Sequence, residues 1–409
     1  MKGERRGPIG AMRVSGNGRH FVDRAGKPVF WLGDTEWELF RMFTREEARE
    51  LLRIRKAQGF NAILVMLAGV PGGNQAPAEC MKRGQAWMEG GELRPKEEYF
   101  EHVDEVIGLG EETGQVFVVG VYHKSDGKVI TEKNARGWAR WVAKRYREAP
   151  NLIWCMYPEA KEEFIAVCRE LAAGLREGDG GAHLISVHPD PSVASSSFMH
   201  GEEWLAFNMI QTCLDYDRIA ETVRADYERK PVKPVVLAEG GYEGVEFGRL
   251  QTAHHIRKQA YWTQLAGGYH VYGHNDNWMT ATKWKEWVDS PGAESMKVFK
   301  EIMTSCEEWW EIVPDQSIIV EGARGGFELN LAARAGSGRW AMVYVSEPSK
   351  VSVRLDGIRG SGKARAQWID PRNGERKEAG TLETKGVGEF TTPAGWEDAV
   401  LFIEDRCKM

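Results

Sequence analysis

Up to about residue 315 the apolar positions fall in short, nearly unbroken runs. They are VFWLGDT (29–35), NAILVML (61–67), VFVVGVY (116–122), LIWCMY (152–157), LISVHP (184–189), FNMIQT (207–212), PVVLAEG (234–240) and GGYHVYGH (267–274). Most lack the in–out alternation of a half-exposed strand. Strands buried on both faces, as in a parallel sheet covered by helices, read this way. Helical patterns separate them. TREEARELLRIRKAQG opens with Thr44 and has Glu47 three residues on, a capping box, and closes at Gly59. KNARGWARWVAKRYREAP precedes the fourth run, and GRLQTAHHIRKQAYWTQLAGG leads into the eighth. Eight strands alternating with helices predict a (β/α)8 TIM barrel over residues 1–314. An open doubly wound sheet is disfavoured because no G-x-G-x-x-G follows any run.

Beyond that point the pattern changes. SIIVEG, RWAMVYVSE, VSVRLDG, ARAQWID and AVLFIED are separated by Gly, Ser, Asn or Pro turns, with no long helix between them. They predict an all-β sandwich domain over 315–409. AESMKVFKEIMTSCEEWWEIVPD reads as the last barrel helix and its exit, with Pro314 as the boundary. Trp309 and Trp310 are expected to cover the joint.

Composition narrows the functional classes. A net charge of −6 offers no basic stripe for nucleic acid and no attraction to an anionic membrane. Sixteen Trp imply a large aromatic core with a few flat platforms to spare, of the kind that holds sugars. The six Cys form no C-x-x-C pair, and Cys155 and Cys213 sit in apolar runs as small hydrophobes. HGEEW (200–204) lacks the i,i+4 His pair of a zinc site, so no catalytic metal and no cofactor are expected. The first sixteen residues carry no apolar core of a signal peptide. The chain as written reads as cytoplasmic, or as exported if a signal has been removed.

A barrel of this kind does its chemistry at the C-terminal ends of its strands. The runs end in Asp34 and Trp37, His123, Glu159, His188, Gln211, Glu239 with Tyr242 and Glu243 just beyond, and His274 with Asn275 and Trp278. His254 and His255 lie mid-helix and read as structural. Two carboxylates at the ends of the fourth and seventh strands form the pair that glycoside hydrolysis needs. Aromatics give sugar rings a stacking face, while amides and imidazoles bond the hydroxyls. Taken alone, each residue also has a structural reading, such as a helix cap, an ion pair or a satisfied core histidine.

FVDRAGKPVFWLGDTEWELFRMFTREEARELLRIRKAQGFNAILVMLAG resembles the opening of the apiosidase-like barrel glycoside hydrolases. NLIW at 151, SSSFMHGEEWLAFNMIQ at 195–211, KPVVLAEGGYEG at 233–244 and AGGYHVYGHNDNW at 266–278 extend the likeness. WIDPRNGE at 368–375 resembles the β-sandwich that this family carries at its C-terminus, often labelled a collagen-binding domain. The resemblance implies that Glu239 stands at the family's catalytic glutamate. It aligns Glu159 with the carboxylate after strand four, an aspartate following two glycines in the family, where YPE stands here. After Gln211 the family commonly has Gly-His two residues on, and Cys213 and Leu214 stand here. Both departures fall on the rim and bear on specificity.

The expectation is therefore a glycosidase that cuts a plant-type oligosaccharide or glycoside near a chain end. Glu239 would be the nucleophile and Glu159 the general acid/base. Asp34, Trp37, His123, His188, Gln211, Tyr242, His274, Asn275 and Trp278 would line the sugar pocket. A retaining mechanism requires carboxyl groups about 5–5.5 Å apart. Hydrogen bonds should keep Glu239 ionised, while Tyr157 should wall Glu159 and raise its pKa. Another carbohydrate-active enzyme on the same barrel, an endo-glucanase or a lyase, is the alternative, as is a non-catalytic sugar-binding protein.

Overall fold

The computed structural model describes residues 11–70, 86, 93–160, 162–213, 215–246, 249–276 and 283–405, with the side chains of 158–160 and 162 left out. Glu159, by its side chain, and Trp278 lie outside the described residues.

Eight strands build one sheet: β1 (Leu32–Thr35), β2 (Ala62–Met66), β3 (Val116–His123), β4 (Leu152–Ala160), β5 (Ile185–Pro189), β6 (Asn208–Gln211), β7 (Val235–Glu239) and β8 (Tyr269–Tyr272). The order β5-β4-β3-β2-β1-β8-β7-β6 is parallel throughout. Closure between β5 and β6 is partial. Ala206 N–H donates to Ile185 O at 2.9 Å, and Ser186 Oγ donates to Phe207 O at 2.8 Å. A single helical turn, Ser196–Met199, stands between these strands instead of a full helix, and Val193–Ala194 adds to β6 antiparallel.

Among the described residues, seven longer helices accompany the sheet: α1 (Arg45–Ala57), α2 (Glu97–Thr113), α3 (Glu132–Arg145), α4 (Ile165–Asp179), α5 (Ile219–Glu228), α6 (Ala253–Leu265) and α7 (Pro291–Thr304). Helix α1 begins with the expected capping box, in which Glu47 N–H bonds the Thr44 hydroxyl and the Glu47 carboxylate accepts from Thr44 N. His254 and His255 lie in the first turn of α6, not at its middle. His255 accepts from the N-cap Thr252, and His254 contacts Ser346 O.

The N-terminal end of the barrel is plugged. Strands Arg13–Val14, Phe21–Val22 and Pro28–Val29 form a small antiparallel sheet. Its Phe21 packs on Trp31, Phe207 and Tyr269 with ring centroids 4.9, 5.2 and 5.6 Å apart. These rings sit where β1, β6 and β8 begin, which leaves the other end for chemistry.

The C-terminal domain is antiparallel and all-β. A six-stranded sheet faces a three-stranded sheet around a core that includes Val343, Val351, Trp368, Phe390 and Leu401. Its first strand, Ile312–Pro314, pairs with Leu331–Ala335, so the second sheet begins just ahead of the expected boundary. The barrel presents α6 to this domain, and every residue of α6 from Ile256 to Leu265 is buried.

Candidate active site

Glu239 is the last residue of β7, and its side chain is only 13% exposed. The Tyr157 hydroxyl donates to Glu239 Oε2 at 3.0 Å. Tyr242 and Gln211 also bond this carboxylate. Trp37 Nε1 donates to the Tyr242 hydroxyl at 2.8 Å, so strand β1 braces the residue that follows β7. Tyr157 is held between rings: it stacks on His123 at 5.3 Å and lies 4.1 Å from His188 and 5.3 Å from Trp37. The structure thus gathers Trp37, His123, His188, Gln211, Tyr242 and Glu239 from β1, β3, β5, β6 and β7, with Tyr157 of β4 at their centre.

The electrostatics differ from the expectation that hydrogen bonds keep Glu239 ionised. Three donors do favour the carboxylate, but burial outweighs them and raises its pKa to about 7. His188 reinforces this. Its Nδ1 lies 3.1 Å from Pro189 O, which can only accept, so Nδ1 carries the proton. Burial pushes the His188 pKa down to about 3, so the ring is neutral and Nε2 is a bare lone pair. That nitrogen stands 3.3 Å from Glu239 Oε2, a contact that favours a protonated Glu239. His123 is also held neutral by burial, at about 4, and its Nδ1 accepts from Ser125 N–H.

Other expected residues go elsewhere. Asp34 does not join this group: its Oδ2 accepts from Arg55 Nε of α1 at 2.5 Å, in the layer between strand and helix. Arg55 also reaches Glu36 at 3.6 Å and donates to Val288 O. Burial first, and Asp34 second, hold Glu36 well above the usual carboxylate range. His274 stacks on Trp287 at 4.9 Å, and its Nδ1 accepts from Asp276 N–H. Asn275 N–H donates to Glu243 O. Glu243 serves α7: its carboxylate accepts from Tyr272, from the N-cap Ser290 and from Gly292 N–H.

Sequence reasoning gave Tyr157 the part of an apolar wall for Glu159 and missed it as a donor to Glu239. The strand register shifts on both sides of β4, between Gly120 and His123 and between Met156 and Ala160, so simple alternation does not give its direction. Cys213 adopts a left-handed φ of 45° and takes a hydrogen bond from Gln211 Nε2 at 3.2 Å. Gln211 Oε1 is buried without a partner.

Residues 15–311 match the family model described as "Apiosidase-like, catalytic domain". Residues 313–404 match that described as "Putative collagen-binding domain of a collagenase". Among solved structures, a protein described as "Glycoside hydrolase" is 25% identical, with a TM-score of 0.88 and 98% of each chain covered. A glycoside hydrolase family 5 protein from Bacteroides vulgatus is 26% identical, with a TM-score of 0.87 over 98% of this chain and 94% of that one. A family 5 mannosidase from Rhizomucor miehei shares the barrel alone, at 11% identity and a TM-score of 0.52 over 65% of this chain and 85% of that one. The search of curated proteins finds no match. With the catalytic-domain model covering most of its length, the chain belongs to the apiosidase-like family and is a glycoside hydrolase.

Proposed function

We propose that this hydrolase cuts a plant-type glycoside or short oligosaccharide near a chain end by retaining, two-carboxylate chemistry. Glu239 attacks the anomeric carbon, and the glycosidic oxygen leaves with a proton from Glu159. Water, deprotonated by Glu159, then displaces the sugar from Glu239. Glu159 is assigned from its place at the C-terminal end of β4. The observation that carries the reading is the largely buried Glu239 carboxylate, bonded by Tyr157 and ringed by Trp37, His188, Gln211 and Tyr242. Rings and amides around one carboxylate are what a sugar pocket needs: flat apolar faces beside a few directed polar groups. In the free enzyme Glu239 titrates near neutrality, so it is ionised for attack in a large fraction of molecules at pH 7 and above.

The raised pKa of Glu239 also favours a second reading, in which the roles are exchanged and Glu239 is the acid. Alanine variants assayed on an aryl glycoside with a good leaving group separate the two. In the first reading Glu159→Ala keeps turnover and gives, with azide, a glycosyl azide of retained configuration, while Glu239→Ala gives the inverted azide. The opposite pattern exchanges the roles, and unimpaired turnover by both variants overturns the two-carboxylate mechanism.

A further inference from the structure

A cavity of about 640 Å³ opens well away from Glu239, between the small N-terminal sheet and the Trp310–Glu311 segment that leads into the C-terminal domain. We propose that it is a second, non-catalytic binding site for a neutral oligosaccharide. The choice of ligand rests on the chain's carbohydrate-acting class. The site itself rests on the following geometry.

The volume lies within the usual range for small-molecule sites. One wall is the half-buried indole of Trp310, fixed edge-to-face against Trp309 at 5.6 Å, which in turn packs on Phe30 at 5.3 Å. A braced, partly exposed indole is a platform for the C–H face of a pyranose. The lining also includes His20, which is only 6% exposed and whose Nδ1 is buried without a hydrogen-bond partner. A ring nitrogen buried without a partner is costly unless something bonds it. Asn17 adds a donor. Its Oδ1 is taken by Ser15 Oγ and Arg19 N–H, while its Nδ2 reaches only Glu311 Oε1 at 3.5 Å. Arg13 and Glu311 supply one positive and one negative charge to the same lining. That balance suits a neutral polyhydroxylated ligand better than a uronate or a phosphate.

The location separates this site from catalysis. Phe21 of the same small sheet closes the N-terminal end of the barrel against Trp31, Phe207 and Tyr269, whereas Glu239 ends β7 at the other end. A saccharide held here would tether the enzyme to a larger carbohydrate without entering the reaction.

Affinity electrophoresis of the full chain carrying Glu239→Gln, so that nothing is turned over, tests this in native gels containing soluble galactomannan, xyloglucan or pectin. At least one neutral polysaccharide should retard the protein. Adding Trp310→Ala should weaken that retardation about tenfold, the scale of one lost aromatic platform. Asn17→Asp, which keeps the turn acceptor and removes the donor, should weaken it in the same direction and guards against misfolding of the Trp310 variant. Placed in the chain with native Glu239, both substitutions should leave hydrolysis of a small aryl glycoside unchanged, an assay that reports the catalytic reading separately. The proposal falls if no neutral polysaccharide retards the protein, if pectin alone does so, or if both variants migrate as the parent does.

Discussion

In the proposed mechanism Glu239 couples the stability of the protein to its catalysis. Its pKa rises from 4.5 to about 7 because folding strips water from it, so the folded state prefers the acid form. That preference contributes in full below pH 4.5 and is lost as pH climbs through about 7, where the carboxylate must ionise while buried. The shift corresponds to a loss on the order of 3 kcal/mol. Glu239→Gln keeps the shape and never ionises. Unfolding compared across pH should therefore show the variant gaining on the parent between pH 4.5 and 7 and holding a constant lead above. Activity should run the other way, with kcat/KM of the parent rising with pH through about 7 as the attacking form appears. The Tyr157 hydroxyl opposes the shift by donating to the carboxylate. Tyr157→Phe removes that donor and should move the acidic limb of the pH–rate profile upward by about one unit, with the ring contacts to His123 and His188 kept. An unmoved limb would show that the hydroxyl does not tune Glu239.

At the scale of elements, strand β1 and helix α1 are joined by charge as well as by apolar packing. Arg55 is wholly buried and holds Asp34 at 2.5 Å and Glu36 at 3.6 Å, and burial together with Asp34 holds the Glu36 pKa well above the usual carboxylate range. Removing the cation strands a buried carboxylate. Arg55→Leu should cost about 3–5 kcal/mol, and combining it with Asp34→Leu should recover much of that. Thermal unfolding of both variants decides it, and a double variant no more stable than the single would mean that the ion pair is not the cause. This element also shows what the sequence could not disclose. The run VFWLGDT announces a buried strand, and Asp34 at its end reads as a rim residue. Nothing in its spacing says that Arg55 on the next helix claims the carboxylate. The strands themselves, the α1 cap and the carboxylate at the end of β7 were legible, because burial on both faces, capping chemistry and strand ends leave local signatures. The direction of Tyr157 was not, because it depends on irregular strand register.

In the whole molecule, α6 links the sandwich to the Glu239 carboxylate. Its outer face docks on the C-terminal domain: Arg257 bonds both oxygens of Asp398 at 2.8 and 2.9 Å, and Trp262 Nε1 donates to Leu329 O. Tyr344 also donates to Asp398 and stacks on Tyr261 at 4.5 Å. On the barrel side, Gln259 Oε1 accepts from Gly241 N–H at 2.8 Å, and Gln259 Nε2 donates to Gly241 O at 3.2 Å. That clamp fixes the Gly240–Gly241 turn directly after Glu239. It comes so close that a Cβ at Gly240 would lie 2.0 Å from Gln259 Oε1, which is why glycine stands there. The sandwich therefore holds the helix that holds the turn, and among the described residues it contributes no group to the Glu239 cluster. Arg257→Ala would leave the buried Asp398 without its cation and should lower stability by about 3–5 kcal/mol, a loss that 1 M salt in the parent would not reproduce because the pair is shielded from solvent. A chain ending at residue 311 should go further. It would expose Tyr261, Trp262 and their neighbours on α6, unfold at lower temperature, and lose kcat on the aryl glycoside as the Gly240–Gly241 turn loosens. The same truncation with unchanged thermal midpoint and unchanged kcat would show that the barrel stands alone and that α6 carries nothing from the sandwich to Glu239.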